Sequence, residues 1–132
     1  MKIAAILVAR LIFASVFAMG AAFKLAFMGI DATAAEIAGA GFPMSVLLAW
    51  IAAFFELGLA FAFLTGFYFS EAAVVTIAYV LFLAFSFHGP DKFAGNPMEF
   101  GFFVDHFVFV AGLLFAAVHG PGRMLVLRWR PL

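Results

Sequence analysis

The chain is 132 residues long and formally uncharged, with 68% hydrophobic and 11% charged residues. A soluble domain is roughly 45–50% apolar and about 25% charged, and a chain this short cannot bury such an excess in its own core, so the surplus must face lipid. Zero net charge with no basic run longer than Arg128-Trp129-Arg130 excludes nucleic-acid binding, and the lack of cysteine excludes disulfides, thiol redox chemistry and thiolate-held iron or zinc.

A helix needs about 20 apolar residues to cross the hydrocarbon layer, where it satisfies its own backbone. The first such run is 3–23. It is too long for a secretory leader and contains Arg10, so it reads as a retained span. The link 25–42 contains Thr33-Ala34-Ala35-Glu36, a capping-box pattern, and closes with Gly39, Gly41 and Pro43. It predicts a short interfacial helix. The second run is 44–64, and Thr65-Gly66-Phe67-Tyr68 ties it tightly to the third, 72–87, as an antiparallel hairpin. Asn96-Pro97-Met98-Glu99 opens the fourth run, 100–118. Asn96 suits a helix cap, Pro97 the first helical position, and Glu99 the positive end of the helix dipole. The expected fold is a single all-α domain, a bundle of four transmembrane helices in the lipid bilayer.

Basic residues set the expected orientation. Lys2, Arg123, Arg128 and Arg130 fall on the side of both termini, against Lys24 and Lys92 on the other. The positive-inside rule therefore puts both termini in the cytoplasm.

Charged groups within a span are expensive, and each is a candidate site with a partner to be named. Arg10 lies seven residues into the first span, and Glu56 eight residues before Leu64. At about 1.5 Å per residue these are similar depths, roughly 10 and 12 Å from one side. The simplest expectation is a buried Arg10–Glu56 ion pair, which either locks the first two spans together or handles protons or a ligand. Toward the other face, Lys24, His88, Asp91, Lys92, Glu99, Asp105 and His106 form a polar funnel. It could hold a quinone headgroup, with His and Lys donating to carbonyl oxygens, or it could be a hydrogen-bond cluster that fixes helix ends. His88, His106 and His119 lack the close spacing of a metal-ligand set, so no metal site is expected.

With these residues placed, the chain resembles the DoxX family of small bacterial membrane proteins. The resemblance rests on Arg10-Leu11-Ile12-Phe13, Gly20 with Lys24, Phe55-Glu56-Leu57-Gly58, Leu64-Thr65-Gly66, His88 and the close Gly120-Pro121-Gly122-Arg123. The spacing from Gly20 to Lys24 is one residue longer than the family's, Ala21 stands in the usual glycine place, and Leu125-Val126-Leu127 replaces a common Ser-x-Asp pair. The resemblance implies a bacterial inner-membrane protein similar to membrane subunits of quinone-linked oxidoreductases. Arg10, Lys24, Glu56, His88 and Gly120 to Arg123 are then the positions that matter. Three roles compete. One is a non-catalytic accessory or anchoring subunit of a membrane electron-transfer complex, with other membrane subunits as partners and no cofactor of its own. The second is a quinone-reactive subunit. The third is a small transporter or channel protomer.

Overall fold

The computed structural model of the chain describes residues 2–127. All regular structure among them is helical: α1 (Lys2–Ala22), extended by a π-helical turn Phe23–Phe27; α2 (Ile30–Gly39); α3 (Ser45–Thr65); α4 (Phe69–Phe87); a 3-10 turn Pro90–Lys92; and α5 (Pro97–His119). Four of these segments, Lys2–Phe27, Ser45–Thr65, Phe69–Lys92 and Pro97–His119, are long and apolar enough to cross a membrane. Large apolar side chains such as Ile12, Phe54, Val75 and Phe115 lie exposed along them. That arrangement is stable only in a solvent as apolar as the side chains themselves.

The chain divides into two compact units. The first consists of residues 2–68 with 121–127. On α1 the buried residues Arg10, Phe13, Ala14, Phe17 and Ala21 recur at three- and four-residue steps, one face of a helix. On α3 the corresponding stripe is Ala49, Ala53, Glu56, Leu59, Ala60 and Phe63. Both stripes mix alanine with phenylalanine, so the backbones approach closely while the rings fill the gaps. Phe63 lies 5.3 Å from Phe13 and 5.8 Å from Phe17, ring centre to ring centre.

Two local findings change the expected boundaries in this unit. The first span continues past Phe23 through the π-turn, where the Met28 amide donates to the Phe23 carbonyl at 2.8 Å. Such π-turns occur as single-turn bulges within α-helices. The helix between the first two spans begins at Ile30 rather than at a Thr33 cap. Gly29, at φ 85°, starts it, and the Thr33 hydroxyl inside the first turn donates to the Gly29 carbonyl at 3.3 Å. Because Thr33 is already helical, the capping box does not form.

Gly66, at φ 71°, ends α3, its amide donating to the Ala62 carbonyl at 2.8 Å. A side chain there would also collide: a Cβ would lie 3.0 Å from that of Pro121 and 3.3 Å from Arg10 Nη2. The missing side chain lets 121–127 lie against the end of α3, where the Leu127 amide donates to the Thr65 carbonyl at 2.9 Å.

The second unit is Phe69–Gly120. Its first helix starts at Phe69, three residues ahead of the expected 72, directly after Tyr68, which adopts φ 46°. Phe85 meets Phe103 and Phe107 edge-on, at 5.2 and 6.2 Å. Phe93 from the connecting segment adds edge contacts to Phe100 and Phe103 at 5.4 and 5.3 Å. Lys92 Nζ donates to the Ser86 and Phe87 carbonyls at 3.3 and 2.8 Å, capping the last turn of α4.

Candidate functional site

Arg10 is buried to 1% exposure in the first unit, and the expected ion pair with Glu56 does not form. The guanidinium instead donates to five backbone carbonyls. Nε reaches Phe63 at 3.2 Å, Nη1 reaches Pro121 at 3.0 Å and Met124 at 2.6 Å, and Nη2 reaches Leu64 at 2.7 Å and Leu125 at 2.9 Å. A guanidinium has five N–H donors, and all are used. Two acceptors belong to the last turn of α3, whose carbonyls have no partner within the helix and carry the negative end of its dipole. The other three belong to the loop after Gly120. The cause is geometric. Helical side chains lean toward the helix N-terminus, so the long Arg10 side chain reaches back to the end of α3 rather than sideways to Glu56, about two turns further along that helix.

Glu56, 4% exposed, pairs with Lys24. Lys24 Nζ lies 3.0 Å from Oε1 and 2.9 Å from Oε2, and it also donates to the Gly20 carbonyl at 3.4 Å. Lys24 leans back along its helix as Arg10 does, so an ammonium placed beyond the expected end of the span serves a carboxylate deeper within it. Gly20 makes room for the pair. A Cβ at Gly20 would lie 2.7 Å from Glu56 Oε2, whereas one at Gly58 would meet nothing within 4 Å. The same substitution therefore has opposite expected effects at the two positions. Gly58→Ala gains helix propensity, worth up to about 1 kcal/mol. Gly20→Ala displaces the carboxylate from its ammonium and loses roughly 1–3 kcal/mol to overpacking. Thermal unfolding in detergent decides the matter, and equal shifts at both glycines would show that Gly20 makes no room for the pair.

In the second unit, His88 and Glu99 form a dyad, with Nδ1 2.7 Å from Oε2. The His106 ring lies 5.4 Å from the His88 ring, and Phe102 lies 5.2 Å from it. His106 Nδ1 is 2.6 Å from the Phe102 carbonyl, so that nitrogen carries a proton, because a carbonyl can only accept. Both dyad residues are partly covered, at 27% and 23% side-chain exposure, which leaves the site reachable. Of the other members of the predicted cluster, Asp91 lies exposed in the 3-10 turn, and Asp105 lies exposed on α5 and makes no hydrogen bond to a described residue. Asn96 precedes Pro97 as expected, but its side chain makes no cap bond. The Glu99 carboxylate goes to His88.

The family model for DoxX matches residues 5–89. The chain belongs to the DoxX family. No curated protein and no solved structure is a significant match. The segment matched by the DoxX model contains Arg10, Gly20, Lys24, Glu56, Gly66 and His88, while Glu99, Asp105, His106 and the Gly120–Arg123 close lie outside it. That close has a concrete place in this DoxX protein. The Pro121 carbonyl is an Arg10 acceptor, and a Cβ at Gly122, φ 76°, would lie 3.1 Å from Ile6 Cγ2. Arg123 is exposed, and Arg128 and Arg130 lie outside the described residues. Sequence reasoning missed the carbonyls of Phe63, Leu64, Met124 and Leu125, because a backbone acceptor leaves no residue-type signal. Pro121 was visible only as part of a family pattern, and Gly66 also as part of the expected turn 65–68.

Proposed function

We propose that this DoxX protein is the membrane-embedded accessory subunit of a quinone-linked electron-transfer complex, and that its His88–Glu99 dyad holds the quinone headgroup. The observation that carries the reading is the 2.7 Å contact between His88 Nδ1 and Glu99, which leaves His88 Nε2 without a bond to any described residue. The buried charges of the first unit are already committed: Arg10 to five carbonyls, Lys24 and Glu56 to each other.

A carboxylate at Nδ1 orients an imidazole and leaves Nε2 to face a ligand. Protonated His88 donates from Nε2 to a quinone carbonyl oxygen and transfers that proton as the oxygen gains negative charge. It is left neutral, with Nδ1–H still bonded to Glu99. Quinone reduction takes two electrons and two protons; His88 supplies one proton, and water reaching the partly exposed dyad supplies the other. The electrons come from a partner subunit, since the sequence has no cysteine to carry a thiol or a cluster. Phe102 beside His88 gives the headgroup an apolar, aromatic wall. The family resemblance supports the quinone context and a bacterial inner membrane, and the basic-residue asymmetry supports cytoplasmic termini.

Titration of the purified protein with a short-chain ubiquinone analogue, followed by fluorescence quenching, tests the proposal. His88→Ala removes a charge-assisted bond worth about 1.5–3 kcal/mol, so affinity falls roughly 10–100-fold. Glu99→Gln weakens binding less. Absence of saturable binding, or the same affinity in His88→Ala, would rule the dyad out as the headgroup site.

A further inference from the structure

Asp105 is the ninth residue of α5, about 12 Å from the helix start at 1.5 Å per residue. It is exposed, as are Val108 at 68% and Phe115 at 70%, which lie near it on one face at i+3 and i+10. Gly101, one turn earlier on that face, has nothing within 4 Å of where a Cβ would stand. A carboxylate in hydrocarbon costs about 2.5–3.5 kcal/mol on insertion scales. Asp105 cannot escape this by reaching the interface, because its carboxyl stands one methylene from the backbone, unlike the long stem of a lysine.

The unit that holds Asp105 has no cation to spare. Its carboxylates are Glu71, Asp91, Glu99 and Asp105, and its one lysine, Lys92, is committed to the Ser86 and Phe87 carbonyls. His88 is bonded to Glu99, His106 Nδ1 to the Phe102 carbonyl and His119 Nδ1 to the Phe115 carbonyl. A second copy does not fit this face. Two copies related by an axis along the membrane normal would bring Asp105 against Asp105 at equal depth, like charge against like in a poor dielectric.

We propose that the face marked by Gly101, Asp105 and Val108 docks a transmembrane helix of another subunit, which carries a lysine or arginine at the depth of Asp105. Gly101 lets the partner backbone approach closely, and the buried opposite charges fix its register. This deepens the accessory-subunit reading but not its quinone part. Quinone titration of the isolated protein can therefore fail without touching it, and the reverse.

The test places a photo-crosslinking residue at Val108 in native membranes and maps the adduct. The expected product joins α5 to an apolar span that contains Lys or Arg. Asp105→Asn lowers its yield about tenfold, the scale of a lost buried ion pair, while Asp105→Glu preserves it. Changing the partner's basic residue to Asp abolishes the adduct, and Asp105→Lys in the same cells restores it. Thermal unfolding of each variant in detergent confirms that it folds. Adducts to lipid alone, to a second copy, to a span without a basic residue, or adducts indifferent to Asp105→Asn each overturn the proposal.

Discussion

Arg10→Leu should be the most damaging single substitution in the chain. Removing the guanidinium strips a donor from five carbonyls at once, those of Phe63, Leu64, Pro121, Met124 and Leu125. Interhelical hydrogen bonds in membranes average only about 0.6 kcal/mol, but an abandoned buried acceptor costs about 1–3 kcal/mol. Five bonds at the lower figure already give about 3 kcal/mol. Arg10→Lys should fall between, since an ammonium offers three donors and lacks the planar fork. The loss is also local. Leu125 stands at φ 50°, a left-handed conformation that costs a branched residue, and its carbonyl is one that Arg10 holds. Without Arg10 the loop 121–127 keeps its backbone bond from Leu127 to Thr65 but loses three of its fixings. The cysteine-free chain accepts a single reporter, and Val126→Cys, half-buried in wild type, should react faster with a maleimide when Arg10 is Leu. Unchanged unfolding temperature together with unchanged labelling would refute the carbonyl cage.

What the sequence could and could not reveal follows from the kind of partner involved. The four spans were legible because lipid as solvent leaves one strong signal, a run of apolar side chains of the right length. The helix ends were less so. Phe69 begins α4 early, directly after a turn in which Gly66 and Tyr68 both take left-handed backbone, and only the glycine announces it. The destination of Arg10 was not legible, since all five of its acceptors are main-chain carbonyls. Equal depth then made Glu56 look like its natural counter-charge. Lys24 was assigned to the interface because the apolar run stops at Phe23. The helix continues to Phe27 through the π-turn, and the side chain leans inward. His88 and Glu99 were foreseen on one membrane face. Their direct bond depends on how the 3-10 turn Pro90–Lys92 returns the chain, which composition does not encode.

The Lys24–Glu56 pair should show itself as a coupling energy. Lys24→Met leaves a carboxylate of 6% side-chain exposure without this counter-ion, while Glu56→Gln leaves an ammonium of 23% exposure that can shift toward water. The first should therefore cost more, about 3 kcal/mol, the lower end of the range for breaking a buried pair by removing one partner. Replacing both by apolar residues of similar volume, Lys24→Met with Glu56→Leu, removes both charges as well as the bond. Such exchanges are often close to neutral, so the double variant should unfold at a higher temperature than either single one. Arg10 and Glu56 share no hydrogen bond, so the corresponding cycle between Arg10→Leu and Glu56→Gln should be additive within about 0.5 kcal/mol. The two cycles together separate the observed pairing from the one that depth alone suggests. If Lys24 and Glu56 prove additive while Arg10 and Glu56 couple, Glu56 belongs to Arg10 after all, and Gly20 is not the residue that makes room for its partner.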